Sequence, residues 1–195
     1  GLGKHPWYDH GTVPATLHGR PIGLQHAPGE DPEVSGSTID VINGTMDRLA
    51  GHGTFIAGII RQRCPNARIM PVPVMYGDGT ADERDLIAAL EDLYERQVLI
   101  RQGRLDEPAV DIVNLSLGYY HEQPEQVTDE GAIFALIRSL SDLGVCVVAG
   151  AGNGGTDVEF WPAALAGRGD AAVPVVAVGA VNPDVVTVSA FSNTG

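Results

Sequence analysis

The sequence predicts an α/β protein built on a mostly parallel sheet. Three observations carry this. From residue 51 onward, apolar runs of strand length alternate with amphipathic stretches of helical length, the order that βαβ units produce. Residues 110–118 and 145–149 are nearly continuous apolar runs, as expected of strands covered on both faces. Residues 114–118 and 150–155 stand at the carboxyl ends of these runs. In open parallel sheets the ligand crevice lies outside the carboxyl ends of the strands.

Composition narrows the function classes. The chain has 195 residues, enough for one domain that buries roughly 70% of its unfolded surface. There are no repeats and no second domain. A net charge of -13 argues against nucleic acid, whose binding needs stripes of Lys and Arg. It suits a solvated surface, or cation binding by clustered carboxylates. No apolar run approaches the ~20 residues of a membrane helix. Of two cysteines, Cys146 lies in an apolar run and is expected to be a buried inert thiol, while Cys64 precedes Pro65 in a loop. No Cys/His spacing matches a metal site. No signal peptide is visible, both ends read as cut, and the oligomeric state is left open.

Taken in order, residues 1–50 read as loop, with one strand-like piece at 38–42. His5, His10, His18 and His26 match no metal pattern and read as loop residues. A helix follows from residue 52, with Ile56, Ile59, Ile60 and Arg63 on its packed stripe. Residues 69–75 read as an irregular strand, because Pro71 and Pro73 remove N–H groups on one edge. Thr80 and Glu83 form a capping-box signature. The helix after them buries Ile87, Leu90, Tyr94 and Val98 and ends near Gly103. After the strand at 110–118 comes a polar loop, 119–127. A helix follows with Thr128 as cap and Asp129 and Glu130 in its first turn. Ile133, Ile137 and Leu140, with Phe134 alongside, make its apolar stripe, and Gly144 ends it. Residues 173–178 and 185–191 read as the remaining strands.

The stretch Gly51-His52-Gly53-Thr54 carries the first chemical signal. A helix N-terminus disfavours imidazolium, and neutral imidazole is the form a general base needs. The flanking glycines leave the ring uncrowded and let another backbone approach it. The bland alternative is an ordinary surface or core histidine.

The stretch Gly150-Ala151-Gly152-Asn153-Gly154-Gly155 matches G-x-G-x-x-G letter for letter. The dinucleotide fingerprint must also open a helix that holds the pyrophosphate. Residues 156–162 contain no amphipathic helix, so a dinucleotide site is not expected. The loop instead presents Asn153, either as an oxyanion donor or as a plain turn residue.

Three segments therefore stand in order: Gly51-His52-Gly53-Thr54 with Ala57-Gly58, then Asn114-Leu115-Ser116-Leu117-Gly118, then Val148-Ala149-Gly150-Ala151-Gly152-Asn153. Together they resemble the subtilisin family of serine proteases, peptidase family S8. The likeness extends to Phe160-Trp161-Pro162-Ala163, to residues 176–180 and to Ala190-Phe191-Ser192. The resemblance implies a three-layer, doubly wound, mostly parallel sheet. It implies an endopeptidase that cleaves peptide bonds through a Ser-His-Asp triad and an acyl-enzyme. By it, His52 is the general base and Asn153 the oxyanion-hole amide. Ser116, Leu117 and Gly118 would pair with the substrate backbone and wall the main pocket. Gly150, Ala151 and Gly152 would form the other wall, and Gly79 would pair with the substrate's other side. Polypeptides are the implied substrates, with no cofactor for the chemistry, a structural calcium ion, and a secreted or cell-envelope location.

The departures from the family pattern set a further expectation. The family's nucleophile lies in a Gly-Thr-Ser-Met/Phe-Ala motif at a helix start, and no such motif occurs here. Gly36-Ser37-Thr38 and Gly44-Thr45-Met46 precede His52 and lack the apolar helix that should follow. Residues 1–6 resemble those just after the triad aspartate, which places that aspartate two positions before Gly1. Asp40 is the rival within the chain. Residues 1–195 are thus expected to be one incomplete peptidase domain, truncated at both ends and inactive alone. The competing reading is a non-catalytic peptide-binding module on the same scaffold.

Overall fold

In the computed structural model, residues 8, 11–26, 39–40, 42–121, 131–168 and 171–194 are described. The chain divides into two units, Gly1–Asp92 and Leu93–Gly195. One helix, Glu83–Arg101, runs through the division.

The first unit begins with an antiparallel hairpin that sequence periodicity does not reveal, β1 (Thr16–Leu17) and β2 (Arg20–Pro21). Its turn residues His18 and Gly19 both have positive φ, 50° and 75°. Two left-handed residues are what a type I′ turn needs, so His18 serves the turn. Leu17 and Ile22 are buried beside it.

The strand expected over 69–75 reduces to one parallel bridge, Thr12 with Ile69. Pro71 and Pro73 have no N–H to extend a ladder. Pro73 contributes its carbonyl instead, accepting from Leu24 N–H at 2.6 Å. The strand expected at 38–42 is likewise a single antiparallel bridge, Ile39 with Met46. Ile42 is 92% exposed there, while Thr38 and Val41 lie outside the described residues.

Helix α1 (His52–Arg63) starts after Gly51, whose φ of 83° is left-handed. The expected Ile56/Ile59/Ile60/Arg63 stripe is not the packed one. Ala57 is the buried residue, clustered with Tyr8 and Ile69, whereas Ile59 stays 46% exposed. Small residues win because Tyr8 comes close. Its hydroxyl donates to Thr54 O at 2.9 Å, and a Cβ on Gly58 would lie 3.1 Å from the Tyr8 oxygen.

Helix α2 (Glu83–Arg101) is capped by Asp82, not by the expected Thr80/Glu83 box. Asp82 Oδ1 accepts from Arg84 N–H at 2.9 Å, as an N-cap carboxylate does. Thr80 is already used, because Asp78 Oδ1 accepts from both its N–H and its hydroxyl at 2.8 Å. The expected end holds, with Gly103 at φ 66° and Arg104 N–H donating to Leu99 O at 2.9 Å. The buried face is turned from the one expected. Leu86, Ala89, Leu90, Leu93, Arg96, Gln97 and Leu99 are buried, while Ile87, Tyr94 and Val98 are half-buried. Polar contacts explain the turn. Gln97 exchanges two 3.0 Å hydrogen bonds with the Val110 backbone. Arg96 donates to Pro108 O at 2.8 Å and faces Glu107 at 3.6 Å.

The second unit holds the parallel sheet. Strands β3 (Ile112–Leu115), β5 (Cys146–Gly150) and β7 (Val176–Val178) lie in the order β3-β5-β7, all parallel. Helix α3 (Ala132–Asp142) packs on β5 and buries Ile133, Phe134, Ile137 and Leu140, the expected stripe. Gly144, at φ 79°, turns the chain into β5. The described helix is capped by Gly131; Thr128, Asp129 and Glu130 lie outside the described residues. Double coverage of the strands is not seen. In β3, Val113 and Leu115 are buried but Ile112 is 62% exposed, and β7 is exposed throughout. A strand reads as a continuous apolar run whether or not both faces are covered, so the run alone could not decide this.

A second short ribbon pairs β4 (Tyr119–Tyr120) antiparallel with β6 (Phe160–Trp161). Trp161 is fully buried, with its ring 4.6 Å from that of Phe134 and the Arg168 guanidinium 5.0 Å from its centroid. Residues 185–191 form a loop, not the expected strand, joined to the preceding segment by one bridge, Val181 with Val188. Asp184 holds it by accepting from Val186 N–H and Thr187 N–H at 2.9 and 3.0 Å. Both cysteines are free. Cys64 is exposed and Cys146 only half-buried, because its side chain points to the less covered face of β5.

Candidate active site

In the first unit, His52 is the first residue of α1 and is exposed. Its backbone N–H donates to Leu49 O at 3.0 Å. A Cβ added at Gly51 or Gly53 would meet nothing within 4 Å, so neither glycine is closely approached by a neighbour. An apolar hollow runs along α1 between Tyr8, Phe55 and Ile59 without including His52.

Gly79 belongs to the same unit. It has φ 95°, in a turn closed by Tyr76 N–H on Thr80 O at 2.8 Å and Gly79 N–H on Tyr76 O at 3.0 Å. A Cβ on Gly79 would lie 2.7 Å from Leu49 Cδ1, and Leu49 N–H donates to Gly77 O at 3.0 Å. The turn carrying Gly79 and the turn entering the His52 helix therefore lie side by side. Beside them, the Thr80 backbone N–H and then its hydroxyl hold the Asp78 carboxyl below its ordinary pKa.

The rival aspartate is occupied locally. Asp40 accepts from Ile42 N–H at 2.8 Å and from Asn43 Nδ2 at 2.6 Å. Thr45 hydrogen-bonds Asn43 Oδ1 in the same turn, so Gly44-Thr45-Met46 starts no helix. Gly36 and Ser37 lie outside the described residues.

In the second unit, register brings the two expected pocket walls together. Leu115 pairs with Ala149, so residues 116–118 and 150–152 leave neighbouring strand ends side by side. Ser116 Oγ accepts from Asn114 Nδ2 at 2.9 Å. Ala151 is buried and extends the ladder, donating to Val178 O at 2.9 Å. The walls converge on one ring. A Cβ on Gly118 would overlap Phe160 and the Trp161 carbonyl, and one on Gly152 would lie 2.9 Å from Phe160 Cγ. Only glycine at both positions admits the ring. Tyr120 meets Phe160 edge-on at 5.0 Å.

Asn153 is exposed and is the next residue out along the Gly150 wall. No helix opens after Gly150-x-Gly152-x-x-Gly155; the next element is β6. A backbone that starts no helix offers no pyrophosphate site of the dinucleotide kind. One residue of this region escapes sequence reading. Asn193, 3% exposed, accepts from Gly154 N–H at 2.8 Å and donates its own N–H to Gly152 O at 3.1 Å.

Among the described residues, no three His, Cys, Asp or Glu side chains gather where they could hold a metal ion. No helix of the described residues is long and apolar enough to cross a membrane.

Residues 28–195 match the model of the subtilase family. The chain is 28% identical over 180 residues to the subtilase-type proteinase RRT12 of Saccharomyces cerevisiae, a match covering 89% of this chain and 32% of RRT12. It is 30% identical over 102 residues to the subtilase-type proteinase psp3 of Schizosaccharomyces pombe, covering 50% of this chain and 21% of psp3. The matches thus span about a third and about a fifth of those relatives. A solved structure of a cold-adapted subtilisin-like serine proteinase superposes with a TM-score of 0.61 at 19% identity, covering all of this chain and 56% of that one. Taken with the parallel β3-β5-β7 sheet, these likenesses show that the chain belongs to the subtilase family of serine peptidases and has its α/β fold.

Proposed function

We propose that the full-length protein is a serine endopeptidase in which this chain supplies the base, the oxyanion amide and much of the substrate cleft. The observation that carries the proposal is the pair of in-register strand ends. Residues 116–118 and 150–152 leave adjacent parallel strands, and the exposed Asn153 follows directly.

In this reading a peptide lies along Ser116–Gly118. His52, as neutral imidazole, takes the proton from a serine hydroxyl as that oxygen attacks the scissile carbonyl. The carbonyl oxygen becomes an oxyanion and accepts a hydrogen bond from Asn153 Nδ2. His52 then returns the proton to the leaving amine, and water hydrolyses the acyl-enzyme by the reverse sequence of proton transfers. The serine and the orienting aspartate belong to the parent protein outside residues 1–195, so this chain alone is inactive. Secretion or attachment to the cell envelope goes with the same reading.

A fluorophosphonate probe tests it. The full-length protein should be labelled on a serine and should hydrolyse a peptide substrate, whereas residues 1–195 alone should do neither. Labelling of the isolated chain would expose an unrecognised nucleophile here. A full-length protein that binds peptides but resists the probe would be a binding module on this scaffold.

A further inference from the structure

We propose that Asn193 is a positioning residue for the Asn153 amide, holding the backbone on both sides of it. The inference rests on the oxyanion role proposed for Asn153.

The loop has little stiffness of its own. Gly152 has φ 101° and Gly155 φ 60°, and glycine loses more freedom on folding than any other residue. Asn153 is exposed between them. Its orientation is therefore set by whatever fixes Gly152 and Gly154. Asn193 fixes both. Its backbone N–H donates to Gly152 O at 3.1 Å, and its Oδ1 accepts from Gly154 N–H at 2.8 Å and from Thr156 N–H at 3.4 Å. The neighbours of Asn193 reinforce the strap. Gly155 N–H donates to Phe191 O at 2.8 Å, and Thr194 N–H to Thr156 O at 3.1 Å.

A buried amide is costly unless its donors and acceptors are used. Asn193 uses its Nδ2 as well, donating to the Tyr120 hydroxyl at 2.9 Å. Tyr120 in turn leans on Phe160, the ring against which Gly118 and Gly152 both pack. One buried side chain thus ties the Asn153 loop to Tyr120 and, through it, to Phe160. A misplacement of ~1 Å at such a group can cost ~10²-fold in rate.

The test is a double-mutant cycle in the full-length protein, reading kcat and KM on a peptide substrate for wild type, Asn153→Ala, Asn193→Ala and the double variant. Melting temperature accompanies each protein, and Asn193→Ser replaces Asn193→Ala if the latter does not fold. Asn193→Ala should lower kcat about 10-fold or more with KM nearly unchanged. The same change made in the Asn153→Ala background should leave kcat within about twofold, because there is no amide left to place. Asn193→Asp keeps an acceptor for Gly154 N–H and should retain more kcat than Asn193→Ala. If Asn153→Ala loses kcat but Asn193→Ala does not, or if the two losses multiply, Asn193 does not act through Asn153. If Asn153→Ala itself keeps wild-type kcat, the oxyanion reading fails, and the positioning role with it.

Discussion

His52 sits on a helix and Asn153 on a glycine loop, and the two placements rest on different kinds of contact. His52 is held by local structure. Gly51 turns the chain into α1 at φ 83°, and the His52 N–H bonds back to Leu49 three residues earlier. Its flanking glycines touch nothing that a Cβ would meet. The Asn153 loop is held from a distance, by Asn193 some forty residues on and by Phe191 and Thr194. Gly152, Gly154 and Gly155 in it are tightly enclosed. The two halves of the motif set thus use the same residue type for opposite reasons, open space at 51–53 and close packing at 118 and 152.

Substitutions can break or sharpen that contrast. The largest effect is expected at the base. His52→Ala in the full-length protein should lower kcat by on the order of 10⁶, the loss known for removal of the histidine in subtilisin. Asn153→Ala should cost less, on the order of 10²–10³ in kcat, the range established for subtilisin's own oxyanion amide. Equal losses at both positions would contradict the division of roles.

Stability should separate the two glycine sets next. Gly152→Ala forces a Cβ to 2.9 Å from Phe160 Cγ at φ 101°, and should cost ~1–3 kcal/mol in urea denaturation. Gly53→Ala meets nothing and lies within a helix, so it should be neutral or stabilising by up to ~1 kcal/mol. A Gly53→Ala variant as damaged as Gly152→Ala would refute the open-space reading. Tyr8→Phe removes the hydrogen bond to Thr54 O and should cost ~0.5–1.5 kcal/mol.

The smallest effect is electrostatic. Asp78 is held below its ordinary 3.8 by Thr80, through the backbone N–H first and the hydroxyl second. A folded-state pKa below the unfolded one adds stability that is complete above 3.8 and lost as pH falls through the folded value. Urea midpoints measured from pH 5 downward should therefore fall less steeply for Asp78→Asn than for wild type. Parallel curves would remove Asp78 from the acid response.

Much of this molecule was legible because its signals are periodic. The 3.6-residue repeat of Ile133, Ile137 and Leu140 marked α3, and the runs around Val113 and Val147 marked two parallel strands. Where polar groups decide, periodicity misleads. Arg96 and Gln97 are drawn inward by the carbonyls of Pro108 and Val110, so the buried face of α2 was misread. Thr80 was a sound capping residue that Asp78 had already engaged. The two-residue strands β1, β2, β4 and β6 are too short to carry any period.

By itself the sequence determined the α/β class, the order of the helices and parallel strands, and the residues that resemble a subtilase site, because these depend on residue type and spacing along the chain. Only the tertiary structure decided that Gly118 and Gly152 close on Phe160, and that Asn193 straps the Asn153 loop. The contacts of Gly118 with Phe160 and of Gly154 with Asn193 join residues about 40 apart. A hydrogen bond of that span leaves no mark on local composition, since an asparagine near the end of a chain reads as a turn residue until its buried partners are seen.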